Sequence, residues 1–136
     1  MIKLLIKYPI FYLSIIILII MPFVFRKLKK RVDLKEYLII IFLILVVENI
    51  LDYFFTMTGI YAGCVEEANP AANLLIQNGS FIFVKVAISI YVLIVGIVVI
   101  RKLDKFTKRS EIGLVFAASV YTALMAYHLI IQYYCF

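Results

Sequence analysis

Residues 37–57 read YLIIIFLILVVENILDYFFTM, and this segment is the clearest indication of the fold class. At about 1.5 Å per helical residue it is long enough to cross the ~30 Å hydrocarbon layer of a bilayer. Because the backbone finds no water there, the segment must be a helix. Glu48, Asn49 and Asp52 interrupt it, although a charge at the bilayer centre costs about 2.5–3.5 kcal/mol on insertion scales. Such residues indicate a paired or functional polar site.

The composition of the whole chain also fits a protein that lies in a bilayer. Of its 136 residues, 66% are hydrophobic and the mean hydropathy is +1.11, which a soluble domain of this length has no room to bury. The net charge is +6, but the basic residues cluster beside apolar runs, as in membrane topology signals. We therefore expect no nucleic-acid partner. Anionic lipid headgroups at the basic loops are the expected contacts.

Four apolar runs predict an all-α, polytopic membrane protein with one transmembrane domain over residues 1–136. The predicted spans are Tyr8–Phe25, Tyr37–Met57, Phe81–Ile100 and Ile112–Tyr133. No small-residue cleavage site follows the first run, so it is interpreted as a retained span rather than a signal peptide. A short helix is predicted in the second loop, because Asn69 and Pro70 form a start signal and Gly79 a stop signal.

The distribution of basic residues predicts the orientation in the cell membrane. Loops 26–36 and 101–111 hold eleven of the fourteen Lys and Arg residues, so both are predicted to be cytoplasmic. The loop Thr58–Ser80 has no Lys or Arg and is predicted to face outward. Both termini then also face outward.

Polar residues recur at helical spacing on three of the spans. On the second span they follow steps of three and four and so share one face. Asp52, Lys85 and His128 lie about 9, 6 and 8 Å inside the outer ends of their spans, so an alternating topology brings them to one level in the outer half of the membrane. The outer loop reaches the same level. The predicted polar site consists of Glu48, Asn49, Asp52, Thr56, Glu67, Asn69, Lys85 and His128.

The charges of this set do not cancel. Glu48, Asp52 and Glu67 offer three negative charges, and Lys85 supplies one positive charge. Glu48 and Asp52 are four residues apart on a helix, and two close carboxylates do not both ionise cheaply in a dry place. We therefore expect either a proton on one of them or a cation between them.

One part of the chain resembles a known pattern. Asn49-x-x-Asp52-x-x-x-Thr56, then Gly63, Glu67-Ala68-Asn69-Pro70 and Lys85, resembles a small prokaryotic family of multi-span membrane proteins of unknown function. The resemblance covers roughly residues 45–100. It implies that Asp52, Glu67, Asn69 and Lys85 belong to one site, and it implies no activity.

Three interpretations of the site remain open. The first is a cation- or proton-binding site, serving transport in a homo-oligomer, because the acidic pair runs inward. The second is a membrane enzyme in which Asp52, Glu67 and His128 hold a divalent metal and Lys85 steadies an anionic group of an outer-leaflet or headgroup substrate. The third is a structural or accessory subunit, in which Asp52 and Lys85 lock two helices together.

The two cysteines, Cys64 and Cys135, both fall on the predicted outer side. A disulfide persists outside the cytoplasm, and this one would tie the outer loop to the end of the fourth span. Two reduced thiols are the alternative.

Overall fold

Every element that the computed structural model describes is helical. The description covers residues 2–64, 66–67 and 69–135, with side chains described from residue 12 to residue 133 within these ranges. The elements in chain order are α1 (Ile2–Lys29), α2 (Leu34–Tyr61), α3 (Pro70–Gln77), α4 (Phe81–Arg101), a 3-10 turn (Leu103–Lys105) and α5 (Lys108–Cys135).

Three of the described helices are long and apolar enough to cross a membrane: Leu34–Tyr61, Phe81–Arg101 and Lys108–Tyr133. The fold is therefore all-α and consistent with a multi-pass membrane protein. The predicted first span, Tyr8–Phe25, falls within α1, but its side chains before residue 12 lie outside the described residues. A fourth span stays a prediction.

The helices run past the predicted limits of the spans. α2 has 28 residues, or roughly 42 Å at 1.5 Å per residue, which matches the ~40–45 Å thickness of a bilayer with its headgroups. Hydropathy marks only the apolar part of a helix, whereas the backbone hydrogen bonds continue the helix beyond it. This is why α2 begins before Tyr37 and ends after Met57.

Local signals set the helix ends around the second loop. The Asp33 carboxylate caps α2 by accepting from the Glu36 N–H at 2.8 Å, and the Asn69 side chain caps α3 by accepting from the Ala71 N–H at 3.0 Å. After both helices the chain turns at a glycine with positive φ, Gly63 at 68° and Gly79 at 73°. At each turn two backbone N–H groups bond back to the last carbonyls, as in a Schellman motif.

The three long apolar helices do not pack symmetrically. α2 lies in the middle, with α4 against one side and α5 against the other, and α1 packs on α5. Within the part of the chain that the structure describes, no comparable interface joins α4 to α5 or to α1. The order α4–α2–α5–α1 is therefore closer to a row than to a closed four-helix bundle.

The interior of this row is divided along α2. Toward the basic loops the buried cluster is apolar and consists of Phe25, Tyr37, Leu38, Ile41, Phe42, Leu45 and Ala118. Toward the other end the buried residues of α2 are polar, namely Glu48, Asn49, Asp52 and Thr56. The short helix α3 has no buried residue and contacts α4, so it does not enter the core. The fold therefore places the polar cluster on the central helix, within reach of both neighbours.

Candidate functional site

Asp52 is the centre of the site because two other helices reach it. The Lys85 ammonium on α4 forms an ion pair with Oδ2 of Asp52. The His128 Nε2 on α5 lies 2.9 Å from Oδ1, so Nε2 carries the hydrogen that is donated. All three side chains are largely buried, with exposed fractions of 10–14%. Each carboxylate oxygen thus has one nitrogen partner from a different helix.

Aromatic rings surround this contact. The Lys85 nitrogen lies 5.3 Å from the centroid of the Phe81 ring, a cation–π distance. The imidazole of His128 stacks on Phe55, with ring centroids 6.3 Å apart, and meets the edge of Tyr127 at 6.0 Å. These rings replace water around the charged groups, which strengthens the electrostatic interactions among them.

Asn49 ties α2 to α4 one turn along the same face. Its amide nitrogen donates to the backbone carbonyl of Lys85 at 2.8 Å and to the Ser89 hydroxyl at 2.9 Å. Asn49 is almost completely buried, and its Oδ1 has no hydrogen-bond partner among the described residues. The contact holds the α4 backbone at the level where Lys85 reaches Asp52.

Glu48 faces the opposite neighbour, α5. Its Oε1 lies 2.7 Å from the Thr122 hydroxyl, which also lies 2.9 Å from the carbonyl oxygen of Ala118. The other oxygen, Oε2, is buried and has no hydrogen-bond partner among the described residues. No described Lys, Arg or His lies within ion-pair distance of Glu48. This carboxyl group is therefore held by a hydroxyl and not by a cation.

Two further polar groups of α2 lie beyond Asp52: the side chain of Thr56 and the backbone carbonyl of Phe55. Thr56 is buried, and the Gln132 amide on α5 donates to the carbonyl oxygen of Phe55 at 3.0 Å. From Glu48 to Thr56 the face thus carries an unbroken series of polar groups, one helical turn after another.

Two of the predicted site residues lie elsewhere. Glu67 accepts from the backbone N–H of Asn69 at 2.8 Å, and Asn69 in turn caps α3. Both side chains thus serve the local structure of the loop, and the described contacts do not bring them to Asp52. The implied common site of Asp52, Glu67, Asn69 and Lys85 is assembled only in its Asp52–Lys85 part.

The predicted metal ligands are likewise not assembled. Among the described residues, no three His, Cys, Asp or Glu side chains are grouped closely enough to hold a metal ion. Asp52 and His128 are in contact, but Glu67 is used in the loop. The predicted Cys64–Cys135 disulfide stays a prediction, because the side chain of Cys135 lies outside the described residues.

Three partners of the site were not in the predicted set. Ser89 is four residues from Lys85 and Gln132 is four residues from His128, so helical spacing places them on the same faces. Thr122 lies on a stripe of small residues with Ala118 and Ala126, and such a stripe suggests close helix packing. Thr122 is small enough for close packing, and its hydroxyl also contacts Glu48. Spacing alone does not reveal the second contact.

One comparison with known proteins gives a match. A family model described as a domain of unknown function, DUF5658, matches residues 43–134. The chain belongs to this family. The DUF5658 region contains the polar face of α2 together with α4 and nearly all of α5, including His128, and it leaves out α1. No curated protein and no solved structure matches the chain.

Proposed function

We propose that this membrane protein binds and releases a proton at the cluster of Glu48, Asp52, Lys85 and His128, and that this site serves proton-coupled transport. The observation that carries the proposal is the double engagement of Asp52. Its two oxygens are taken by Lys85 and His128, so nitrogen groups of the chain itself occupy the place where a metal cation would bind. A proton binds to a single atom and does not need an empty position between these groups.

The contact of Glu48 with Thr122 supports a bound proton. A hydroxyl group has one hydrogen to donate, yet the Thr122 oxygen has two oxygen neighbours within hydrogen-bond distance. Both contacts are satisfied when Glu48 is protonated and donates to Thr122, while Thr122 donates to the carbonyl of Ala118. Loss of that proton leaves a buried anion with a single donor, which is costly in a membrane.

Charge balance gives the cluster two neutral arrangements. With Asp52 ionised and Lys85 charged, the remaining proton sits either on Glu48 beside a neutral His128 or on His128 beside an ionised Glu48. Histidine is the side chain whose ordinary ionisation falls between pH 5 and 8. Glu48 is four residues from Asp52, about 6 Å along the helix axis. The two arrangements move one proton along the membrane normal without adding net charge to the interior.

A flux measurement in liposomes tests the proposal. The purified full-length chain is reconstituted with an internal pH dye, and a potassium diffusion potential drives proton entry. We expect proton flux that Glu48→Gln and His128→Gln abolish and that Glu66→Gln, an exposed acid in the loop, leaves intact. Flux that survives both cluster substitutions contradicts the proposal.

Isotope labelling gives a second readout that does not depend on flux. His128 is the only histidine, so a chain labelled with nitrogen-15 histidine gives the signals of one imidazole. We expect these signals to differ between the wild type and Glu48→Gln, because the two groups share one proton in the proposal. Identical imidazole signals in the wild type and in Glu48→Gln contradict a shared proton.

The alternative supported by a specific observation is a structural role. Asn49 with Ser89, and Gln132 with the carbonyl of Phe55, are interhelical hydrogen bonds that do no chemistry. A chain without flux, in which Asp52→Asn destroys the fold, fits an accessory subunit whose polar cluster sets helix registry. The metal-dependent enzyme interpretation draws less support, because Glu67 is not at the cluster. If flux is found, chemical cross-linking tests the homo-oligomer that so few spans would require.

A further inference from the structure

A second polar feature lies at the opposite end of the molecule. A pocket of about 950 Å³ opens between the end of α1, the start of α2 and the start of α5. Residues from both basic loops line it, among them Arg26, Lys30 and Lys108, so the two loops lie at the same end of the protein. No residue of the proton site proposed above lines this pocket.

The pocket carries excess positive charge. Of its four basic residues, Lys29 is paired with Glu111 at 2.6 Å. Arg26, Lys30 and Lys108 form no ion pair with any residue that the structure describes. Glu111 is the one acidic residue in the lining, which leaves a net charge of about +3 by the ordinary ionisation of these groups. The ligand that fits such a pocket is an anion.

A buried hydroxyl in the wall points to the same ligand. Tyr37 is fully buried and lines the pocket, and its hydroxyl oxygen has no hydrogen-bond partner among the described residues. Leaving a buried hydroxyl without a hydrogen bond is unfavourable. Because this hydroxyl has almost no accessible surface, a phosphate oxygen reaches it only when the pocket wall shifts slightly. The oxygen then accepts its hydrogen, since a tyrosine hydroxyl donates as well as accepts.

The remaining wall is apolar and continues onto the membrane-facing surface. Val115 and Phe106 lie within the lining, and Ile112 and Phe116 lie in the same lining with more than 60% of their surfaces exposed. A soluble anion gains nothing from these side chains, whereas a lipid buries its glycerol and upper acyl carbons against them. Charged and apolar walls in one pocket at the end of a membrane helix fit an amphiphile.

We propose that this pocket binds the phosphate group of an anionic phospholipid, with Arg26, Lys30, Lys108 and the Tyr37 hydroxyl as its donors. Basic pockets between membrane helices are typical headgroup sites. The ligand is a lipid rather than free phosphate because of the apolar wall.

Native mass spectrometry of the full-length protein in mild detergent tests this, with phosphatidylglycerol as the probe and phosphatidylcholine as the neutral comparison. Arg26→Gln should weaken phosphatidylglycerol binding about tenfold, because it removes a charge-assisted hydrogen bond. Tyr37→Phe should weaken it about fivefold, the worth of one neutral hydrogen bond. The matched control Arg101→Gln removes the same charge from the other basic loop, outside the pocket, and should change binding less than about twofold.

The outcomes separate the possibilities. Equal losses in Arg26→Gln and Arg101→Gln would show diffuse attraction to basic loops and overturn the proposal, as would equal binding of the two lipids. Binding of inorganic phosphate that depends on Arg26, without phosphatidylglycerol binding, would make the ligand soluble and also overturn it. Circular dichroism of each variant without added lipid checks that the helices are intact, and Tyr37→Phe removes only an unbonded oxygen, so its folding is expected to be normal.

Discussion

Asp52 shows how a single carboxylate is kept in an apolar interior. Its partners come from two different helices, one at each oxygen, so its ionised form is compensated without water. The same arrangement makes Lys85 dependent on Asp52, because no other described acid lies within ion-pair distance of Lys85. This one contact is therefore the basis both of the expected stability of the site and of the proton binding proposed above.

This dependence gives the first prediction. Asp52→Asn should lower the free energy of unfolding by about 3–5 kcal/mol, because it leaves a buried ammonium without its anion. The double variant Asp52→Asn with Lys85→Met should recover part of this loss, since no charge is then left uncompensated. Thermal unfolding in detergent measures the cycle, and Glu66→Gln serves as the control. A double variant as unstable as the sum of both single variants would contradict the pairing.

Asn49 carries the second prediction. Interhelical hydrogen bonds in membranes average about 0.6 kcal/mol and reach about 1.7 kcal/mol, and Asn49 donates two of them to α4. Asn49→Ala should therefore cost about 1–2 kcal/mol and Ser89→Ala about half as much, measured by the same unfolding assay. Thr58→Ala is the control, because the Thr58 hydroxyl bonds only within its own helix. An Asn49→Ala variant as stable as that control would refute a stabilising role for the amide.

Close packing of α2 on α4 is the main feature at the scale of elements. A methyl group built on Gly96 would lie 2.9 Å from Cγ of the Phe42 ring, closer than side chains tolerate. Phe42 itself is buried in the apolar cluster, so its ring has little room to move. The absence of a side chain at Gly96 thus sets the distance between these two helices.

The third prediction uses this contact. Gly96→Ala should destabilise the protein by about 1–3 kcal/mol, the usual cost of overpacking, even though alanine favours a helix more than glycine does. Gly113→Ala on α5 is the matched control, because a methyl group there meets nothing within 4 Å. Unfolding in detergent compares the two. Equal stability of both variants would show that the α2–α4 interface adapts without strain.

The fourth prediction concerns the orientation of the whole molecule in the membrane. In a background without native cysteines, Glu66→Cys should react with an impermeant maleimide on intact cells, whereas Lys105→Cys should react only after permeabilisation. The reason is the excess of Lys and Arg in the loop that contains Lys105. Labelling in the reverse order would place the basic loops outside.

The cysteines give a fifth prediction at the same scale. If Cys64 and Cys135 are bonded, the denatured protein has no reactive thiols without reductant and two after reduction, as counted by a maleimide gel shift. Each single Cys→Ser variant should show one. The bond would close most of the second half of the chain and stabilise it by roughly 4 kcal/mol in the chain-entropy model. Two reactive thiols in the unreduced wild type would disprove it.

The helices and the faces that they bury follow from local features of the sequence. Apolar runs of membrane length, the Asn69-Pro70 start signal and the glycine stops are local properties, and the spacing of Glu48, Asn49, Asp52 and Thr56 follows from 3.6 residues per turn. These features depend on the backbone and on its immediate neighbours, which a sequence shows directly.

Which polar groups come into contact depends instead on how the helices pack. The packing of α2 between α4 and α5 selected Lys85 and His128 as partners of Asp52, and brought Thr122 to Glu48. Glu67 stays in the loop, where its carboxylate accepts a hydrogen bond from the backbone N–H of Asn69. The basic pocket around Tyr37 likewise joins segments far apart in sequence. Such contacts depend on the rotation and distance between helices, which hydropathy and periodicity do not specify.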